Sequence, residues 1–331
     1  LSVDILAAEL RNDLPAFYIL TNSRSLPLPD AQKRNAEIGC NLSAAAAQTR
    51  RRIAIISRSD STLRGHFPGE LAALSDALGE SFDGWIINPF FKEGGRYTVD
   101  DVHYVDEGGM LVPAAQTEFA RDLAFGYASS NLCDWVAEKT GGQIAAKDVA
   151  RISVADLRSR GPEAVTDVLM TLSGGRCCAV NAASYRDLEV FVLGLLAAEA
   201  RGKRFLYRTA ASFVQVRTGI IPRPLLAPAE LKLSPVGGCL LVVGSYVPRS
   251  TRQIEALLAA TDVSAVEINI NALLADGLRE DEIRRAAEIA EQALHSRNDI
   301  VIFTGRQLIT GKDSKSNLQI GQKVSQGLID I

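Results

Sequence analysis

Four features are missing from this 331-residue sequence: paired metal-binding cysteines, a dinucleotide fingerprint, a basic block and a long apolar run. Each absence removes a class of protein. The five cysteines, Cys40, Cys133, Cys177, Cys178 and Cys239, are odd in number, and none stands in a C-x-x-C pair with zinc-ligand spacing. They read as small buried apolar residues in a reducing compartment. No strand-like run is followed by G-x-G-x-x-G and a downstream acidic residue, which leaves a nicotinamide-dependent oxidoreductase without support. Lys plus Arg number 36 against 39 Asp plus Glu, a net charge of -3, with no cluster that would track a phosphate backbone. Nucleic acid is therefore not an expected partner. No apolar run reaches the roughly 20 residues that span a bilayer, and the N-terminus lacks a charged-then-apolar leader. No membrane association is expected, and the expected location is the cytoplasm. Residues 327–331 read as the middle of a helix-to-strand passage, so the chain is expected to be incomplete at both ends.

What is present is an ordinary globular composition, 47% hydrophobic and 23% charged, in a length that suits two domains. Runs rich in β-branched and aromatic residues near 17–20, 53–56, 85–87, 178–180 and 205–207 alternate with segments of helical period. The pattern predicts an α/β protein with two domains, each a mainly parallel sheet flanked by helices, and a ligand cleft between them. One helix is expected from about Pro29 through Ala45 and another opening at Pro68-Gly69-Glu70, where proline suits the first turn. A third carries Leu188, Phe191, Val192, Leu195 and Leu196 on one broad face. Periodicity fails from Pro89 to Phe125, where Gly94, Gly95, Gly108 and Gly109 predict loops and a hairpin. Residues 218–235 hold four of the twelve prolines and read as a linker. Residues 1–220 then form a first domain and 236–331 a second. The second reads as strand 240–243, helix 250–259, strand 265–268, helix 280–295 and strand 300–303, which brings Gly244 and Gly305 to one carboxyl edge of a parallel sheet.

The densest polar cluster is Ser57-Arg58-Ser59-Asp60-Ser61-Thr62-Leu63-Arg64-Gly65-His66, between an apolar strand and a proline-led helix. Hydroxyls, a carboxylate and two guanidinium groups in one turn match a small polyhydroxy acid. The bland alternative is that Ser59, Asp60 and Ser61 only cap a helix while both arginines face water. Capping needs one such residue, however, and here every position but Leu63 and Gly65 is polar. Arg96 either reaches a ligand or decorates a surface hairpin. His66, beside the loop, is a candidate proton acceptor, whereas His103 and His295 read as structural and Asp100-Asp101 as turn residues.

Ser-Asp-Ser-Thr-Leu-Arg-Gly at 59–65 resembles the central motif of the four-carbon acid sugar kinases, which phosphorylate acids such as threonate, erythronate or 3-oxo-tetronate with ATP. Further stretches agree in order: Thr21-Asn22-Ser23-Arg24-Ser25, Glu93-Gly94-Gly95-Arg96-Tyr97-Thr98, the segments 181–187 and 208–213, and Val243-Gly244-Ser245. The resemblance implies a sugar-acid domain followed by a nucleotide domain. Arg24, Ser57, Arg58, Ser59, Ser61, Thr62, Arg64, Gly65 and Arg96 would then contact the acid, and Asp60 would orient or deprotonate the attacking hydroxyl. Gly244, Ser245, Thr304 and Gly305 would meet ATP, with Mg²⁺ accompanying it. A homo-oligomer is compatible with this reading. So is a non-catalytic sugar-acid sensor, which would keep the loop without using a nucleotide. Two family signatures are absent, the Asp-Asp-x-Thr-Gly-Ala motif of the first strand and the Gly-Gly-x-Thr nucleotide loop. Arg58 also stands where many relatives carry Lys, exchanging a point cation for a planar fork.

Overall fold

Cys177 and Cys178 are adjacent and both fully buried, which requires a strand with protein packed on each face. The computed structural model, which describes residues 1–12, 14–231 and 237–331, supplies that strand. The chain divides into two units, Leu1–Pro222 and Arg223–Ile331. The strands of the first unit are β1 (Ile56–Arg58), β2 (Gly84–Asn88), β3 (Arg96–Val99), β4 (Val102–Glu107), β5 (Met110–Pro113), β6 (Ala150–Ile152), β7 (Arg176–Val180) and β8 (Phe205–Thr209). Five of them make a parallel sheet in the order β1-β8-β2-β7-β6.

Successive residues of these strands serve opposite cores. Cys177, Ala179 and Leu206 join Phe67, Leu71 and Trp135 on one face, while Cys178, Val180, Phe205 and Tyr207 join Phe191, Leu195 and Phe213 on the other. Helices cover both faces, so the strands read as unbroken apolar runs rather than alternating ones. Close packing of the helices Gly161–Met170 and Tyr185–Ala200 depends on Gly194, where a Cβ would stand 2.5 Å from the Pro162 carbonyl oxygen. In the second of these helices Leu188, Phe191, Val192 and Leu195 are buried as expected, but Leu196 is 41% exposed. It lies roughly 90° round the axis from the centre of the buried face.

Two expected strands differ. Residues 53–56 contribute only Ile56 to β1, and 17–20 belong to no strand. The alternation of a strand survives there: Phe17 and Ile19 pack with Ile53 and Ile55, while Tyr18 and Leu20 face solvent. Among the described residues 17–20 has no hydrogen-bonded strand neighbour, a property that periodicity does not encode. The segment expected to hold loops and a hairpin is a three-stranded antiparallel sheet, β3-β4-β5. Asp100 and Asp101 form its first turn with φ of 50° and 65°, the left-handed pair that a two-residue hairpin turn requires.

The second unit has a parallel sheet in the order β10-β11-β9, from β9 (Leu240–Val243), β10 (Ser264–Ile268) and β11 (Ile300–Thr304). Its core joins Val266, Ile268 and Ile302 to Ile283, Ala286 and Ala290 of the helix Arg279–His295. That helix begins with Glu280, Asp281 and Glu282 and ends at His295, the charge order its macrodipole favours. The proline-rich segment 218–235 runs into 232–236, which lie outside the described residues, as does the expected start of the second domain at 236.

Candidate functional site

Register sets the site. Ser57 pairs with Arg208 and Arg58 with Thr209 across β1 and β8, and Asn88 pairs with Thr209 across β2 and β8, so these strands end level at one carboxyl edge. The loop after β1 leaves that edge with Ser59 N–H donating to the Thr209 carbonyl at 2.8 Å. Its two non-polar positions explain its shape. Leu63 is fully buried in the core with φ of 67°, and Gly65 has φ of 118°, a conformation L-residues rarely adopt. The loop is therefore pegged at one point and sharply bent at the next, which turns Asp60, Thr62 and Arg64 toward one another.

Asp60 is the hub. Its Oδ1 accepts from Arg24 Nη1 at 2.8 Å and Arg64 Nη2 at 3.3 Å, and its Oδ2 from Arg64 Nε at 3.0 Å, the Thr62 amide at 3.2 Å and the Thr62 hydroxyl. Burial alone would raise its carboxyl, but the charge and hydrogen bonds of Arg64, then Thr62 and Arg24, outweigh that and hold it at about 2. A carboxylate so acidic, with both oxygens engaged, is a weak proton acceptor. The geometry suits Asp60 to orienting two arginines rather than to deprotonating a hydroxyl. Thr62 is 2% exposed and its hydroxyl is spent on Asp60, which makes it part of this lattice rather than a free contact.

The loop is braced from behind. His103 Nε2 lies 2.7 Å from the Ser61 carbonyl and its Nδ1 2.9 Å from Thr98 Oγ1. Because a carbonyl only accepts, the proton is on Nε2 and Nδ1 accepts from threonine. Burial pushes His103 down to about 4, with Arg96 and Arg208 adding to the effect against the Ser61 hydrogen bond. His66, a candidate proton acceptor from sequence, instead sets Nε2 2.8 Å from the Leu26 carbonyl and its ring edge-on to Phe125.

The structure thus brings Arg24, Asp60, Thr62 and Arg64 together, with Arg96 beside them: the Arg64 and Arg96 guanidinium groups lie over the Phe119 ring at 5.0 and 5.3 Å. Ser57 and Ser59 border the same place, and the Ser59 hydroxyl donates to the Ser57 carbonyl at 3.3 Å. Arg58 is exposed at the end of β1. A cavity of about 900 Å³ opens here, walled by 20–24 and 56–60 and reaching Arg64, Glu70 and Arg208. Sequence reasoning missed Arg208, Phe119 and Trp135. Arg208 had a signal, a charged residue at the carboxyl end of an apolar parallel strand.

In the second unit, Thr304 Oγ1 donates to the Gly244 carbonyl at 3.2 Å, which ties the expected residues at the ends of β9 and β11. Arg306, also missed, spans the same edge, donating to the Ser245 carbonyl at 2.7 Å and to the Thr304 carbonyl at 2.9 Å. Ser245 Oγ accepts from Ser250 Oγ at 3.0 Å, just inside the helix Pro248–Ala260. Gly244 and Ser245 therefore lead directly into a helix N-terminus, and Gly305 closes the neighbouring strand end. Such an edge can offer backbone amides to an anion.

Residues 2–217 match the model of a sugar-binding N-terminal domain and residues 240–331 that of a nucleotide-binding C-terminal domain. The chain accordingly pairs a domain of the sugar-binding type with one of the nucleotide-binding type. The chain belongs to the four-carbon acid sugar kinase family. It is 26% identical over 285 residues to the D-erythronate kinase of Heliobacterium modesticaldum, a match covering 83% of this chain and 58% of that protein. The chain thus spans little more than half the length of that curated relative. Among solved structures it resembles a Salmonella typhimurium protein with TM-score 0.58 at 16% identity, covering 98% of this chain and 76% of that one. A DUF1537 protein of Haemophilus influenzae gives TM-score 0.52 at 17% identity, covering 92% and 68%. At these identities the structural likeness concerns the fold. Among the described residues no helix is long and apolar enough to cross a membrane.

Proposed function

We propose that the protein takes part in ATP-dependent phosphorylation of the terminal hydroxyl of a four-carbon sugar acid, of the threonate, erythronate or 3-oxo-tetronate type. The observation that carries this reading is the fixed pair Arg24 and Arg64, held by Asp60 at the mouth of a cavity on a parallel sheet's carboxyl edge. Two guanidinium forks present charge and directed donors to a small anion, and Ser57 and Ser59 line the same space. The family membership and the erythronate kinase relative support the substrate class.

In this reading Asp60 acts as a positioning residue, keeping the arginines in register so that the acid enters in one orientation. Phosphoryl transfer asks mainly for alignment and charge neutralisation, which suits a site built from fixed cations. The nucleotide belongs to the second unit, where Gly244, Ser245, Thr304 and Gly305 would meet phosphate and Arg306 keeps the strand ends together. Among the described residues no three His, Cys, Asp or Glu side chains converge as a metal site. Mg²⁺ would therefore be held chiefly by the ATP phosphates, whose charge it neutralises.

ADP release by the full-length protein, measured against four-carbon acids of every configuration, tests the proposal. Release dependent on one acid, together with calorimetric binding of that acid, is expected. Binding without ADP release would mean a sensor instead, and neither binding nor release would end the reading.

A further inference from the structure

Arg208 is the least explained charge in the first unit. It is 2% exposed, yet the one hydrogen bond of its side chain among the described residues is from Nη2 to the Arg64 carbonyl at 3.1 Å. The acidic groups that act on it, Asp60 and Glu70, are engaged elsewhere: Asp60 by Arg24 and Arg64, and Glu70 by the Asn35 amide at 3.1 Å. What it has instead is aromatic. Its guanidinium lies 4.6 Å from the Trp135 ring centroid and 5.7 Å from that of Phe67. Rings fix the plane of a cation but leave most of its charge unanswered. Neither carboxylate makes an ion pair with it; a buried cation that forms none is costly, and a native fold keeps one where an anion is to arrive.

The surroundings point to where that anion sits. Arg208 and Phe67 line the cavity, whereas the face turned to Trp135 is closed by core. It stands at the carboxyl end of β8, flanked in the sheet by β1 and β2, the position where α/β sheets receive ligands. Arg24, by contrast, is 54% exposed and already paired. An ion pair formed at Arg208 would lie in a far less screened place than one formed at Arg24. Burial also pulls Arg208 down to about 10, a shift that a bound anion would reverse.

We infer that Arg208, stacked on Trp135, is the seat of the substrate's carboxylate, with the loop arginines ordering the rest of a small hydroxy acid above it. This rests on the sugar-acid reading and assigns one end of the substrate within it. The carboxylate end lies deep against β8, and the hydroxylated end extends toward the cavity mouth at Arg24 and Ser59.

Trp135 provides a reporter that leaves Arg208 intact. The chain has two tryptophans, Trp85 and Trp135, so a Trp85→Phe protein reports on Trp135 alone. Titrating it with D-erythronate, with neutral erythritol and with inorganic phosphate should change Trp135 emission for the acid only. In the same background Arg208→Met should abolish the response and weaken acid binding by at least about 30-fold, the lower bound for truncating a buried charge pair. Arg208→Lys, which keeps the charge but loses the fork, should fall between. A thermal melt shows whether each variant is folded; if Arg208→Met is not, the lysine variant and the unmutated emission titration decide. Acid binding that leaves Trp135 emission unchanged, or a folded Arg208→Met that binds the acid within threefold of the parent, overturns the inference while the sugar-acid reading stands. A response to phosphate equal to that of the acid overturns the carboxylate assignment. No calorimetric binding of any four-carbon acid removes the reading beneath it.

Discussion

Replacing Asp60 by Asn tests whether this carboxylate organises the loop, and the structure fixes both the size and the pH range of the effect. The side chain is 14% exposed and accepts from Arg24, Arg64 and Thr62, which together hold its carboxyl at about 2 against an ordinary 3.8. A depression of that extent corresponds to roughly 2 kcal/mol of folding stability. Removing the charge also leaves Arg64, itself only 21% exposed, with Asp122 at 3.6 Å as its remaining ion-pair partner, so the total loss at neutral pH should be about 2–3 kcal/mol. The folded value lies below the unfolded one. The stabilisation is therefore complete above the unfolded value, and it fades as acid brings pH from near 4 down through about 2. Asn cannot titrate and lacks this contribution at every pH. Urea denaturation of both proteins, followed from pH 7 down to pH 3, should show a gap that stays constant to about pH 5 and then narrows. Midpoints that coincide at pH 7, or a gap that widens on acidification, would refute the assignment of Asp60 as an ion-pair hub. Acid affinity should fall in the same variant, since Arg24 and Arg64 lose their common anchor.

His103→Gln should destabilise the first unit at neutral pH by about 1–3 kcal/mol, because a buried carbonyl at Ser61 and a hydroxyl at Thr98 lose well-placed partners. His103 is held neutral with a folded value of about 4 against 6.5, so the wild type should lose stability as pH falls from 6.5 toward 4. The glutamine variant should lack that component, so a thermal-melt series at pH 7 and pH 5 checks both statements. Native protein treated with a thiol reagent should label Cys40 and Cys239 quickly and spare Cys133, Cys177 and Cys178, which are buried. Burial alone pushes the Cys177 thiol up to about 12, so raising pH to 9 should not expose it unless the sheet opens.

The thiols also show where composition misleads. Five cysteines read alike in the sequence, yet Cys40 faces solvent on the long helix Leu28–Thr49 and Cys239 just before β9. Nothing local distinguishes them from Cys133. The central strands were legible because burial on both faces leaves an unbroken apolar run, as in β7 and β8. The segment 17–20 carries an equally good strand pattern but no ladder. Apolar alternation reports a half-buried extended chain, and pairing depends on whether a neighbour's hydrogen-bonding edge is within reach. Conversely, β3 to β5 hide among glycines and turn residues, since short strands around tight turns carry too few residues for a period to register.

For the site, what the sequence displayed was density and what it concealed was convergence. The loop 57–66 announces itself because every donor and acceptor lies within ten residues. Arg208 sits 144 residues beyond Arg64, whose carbonyl it meets, and only the pairing of β1 with β8 brings them together. Phe119 comes from a third place in the chain, yet its ring contacts both Arg64 and Arg96. This division follows from the physics of the cluster. Several guanidinium groups repel one another unless carboxylates and rings hold them apart, and neighbours in sequence cannot surround a charge on every side. The anchoring carboxylate can be local, as Asp60 is, because a single turn suffices to wrap it in amides and hydroxyls. A buried cation needs a wall of aromatic core behind it, and Trp135 and Phe67 reach Arg208 from two different helical neighbourhoods. A residue such as Arg208 therefore marks a site only once the sheet has been assembled; the linear sequence shows it only as the first residue of the family-like stretch 208–213 and as a charge at the end of an apolar strand.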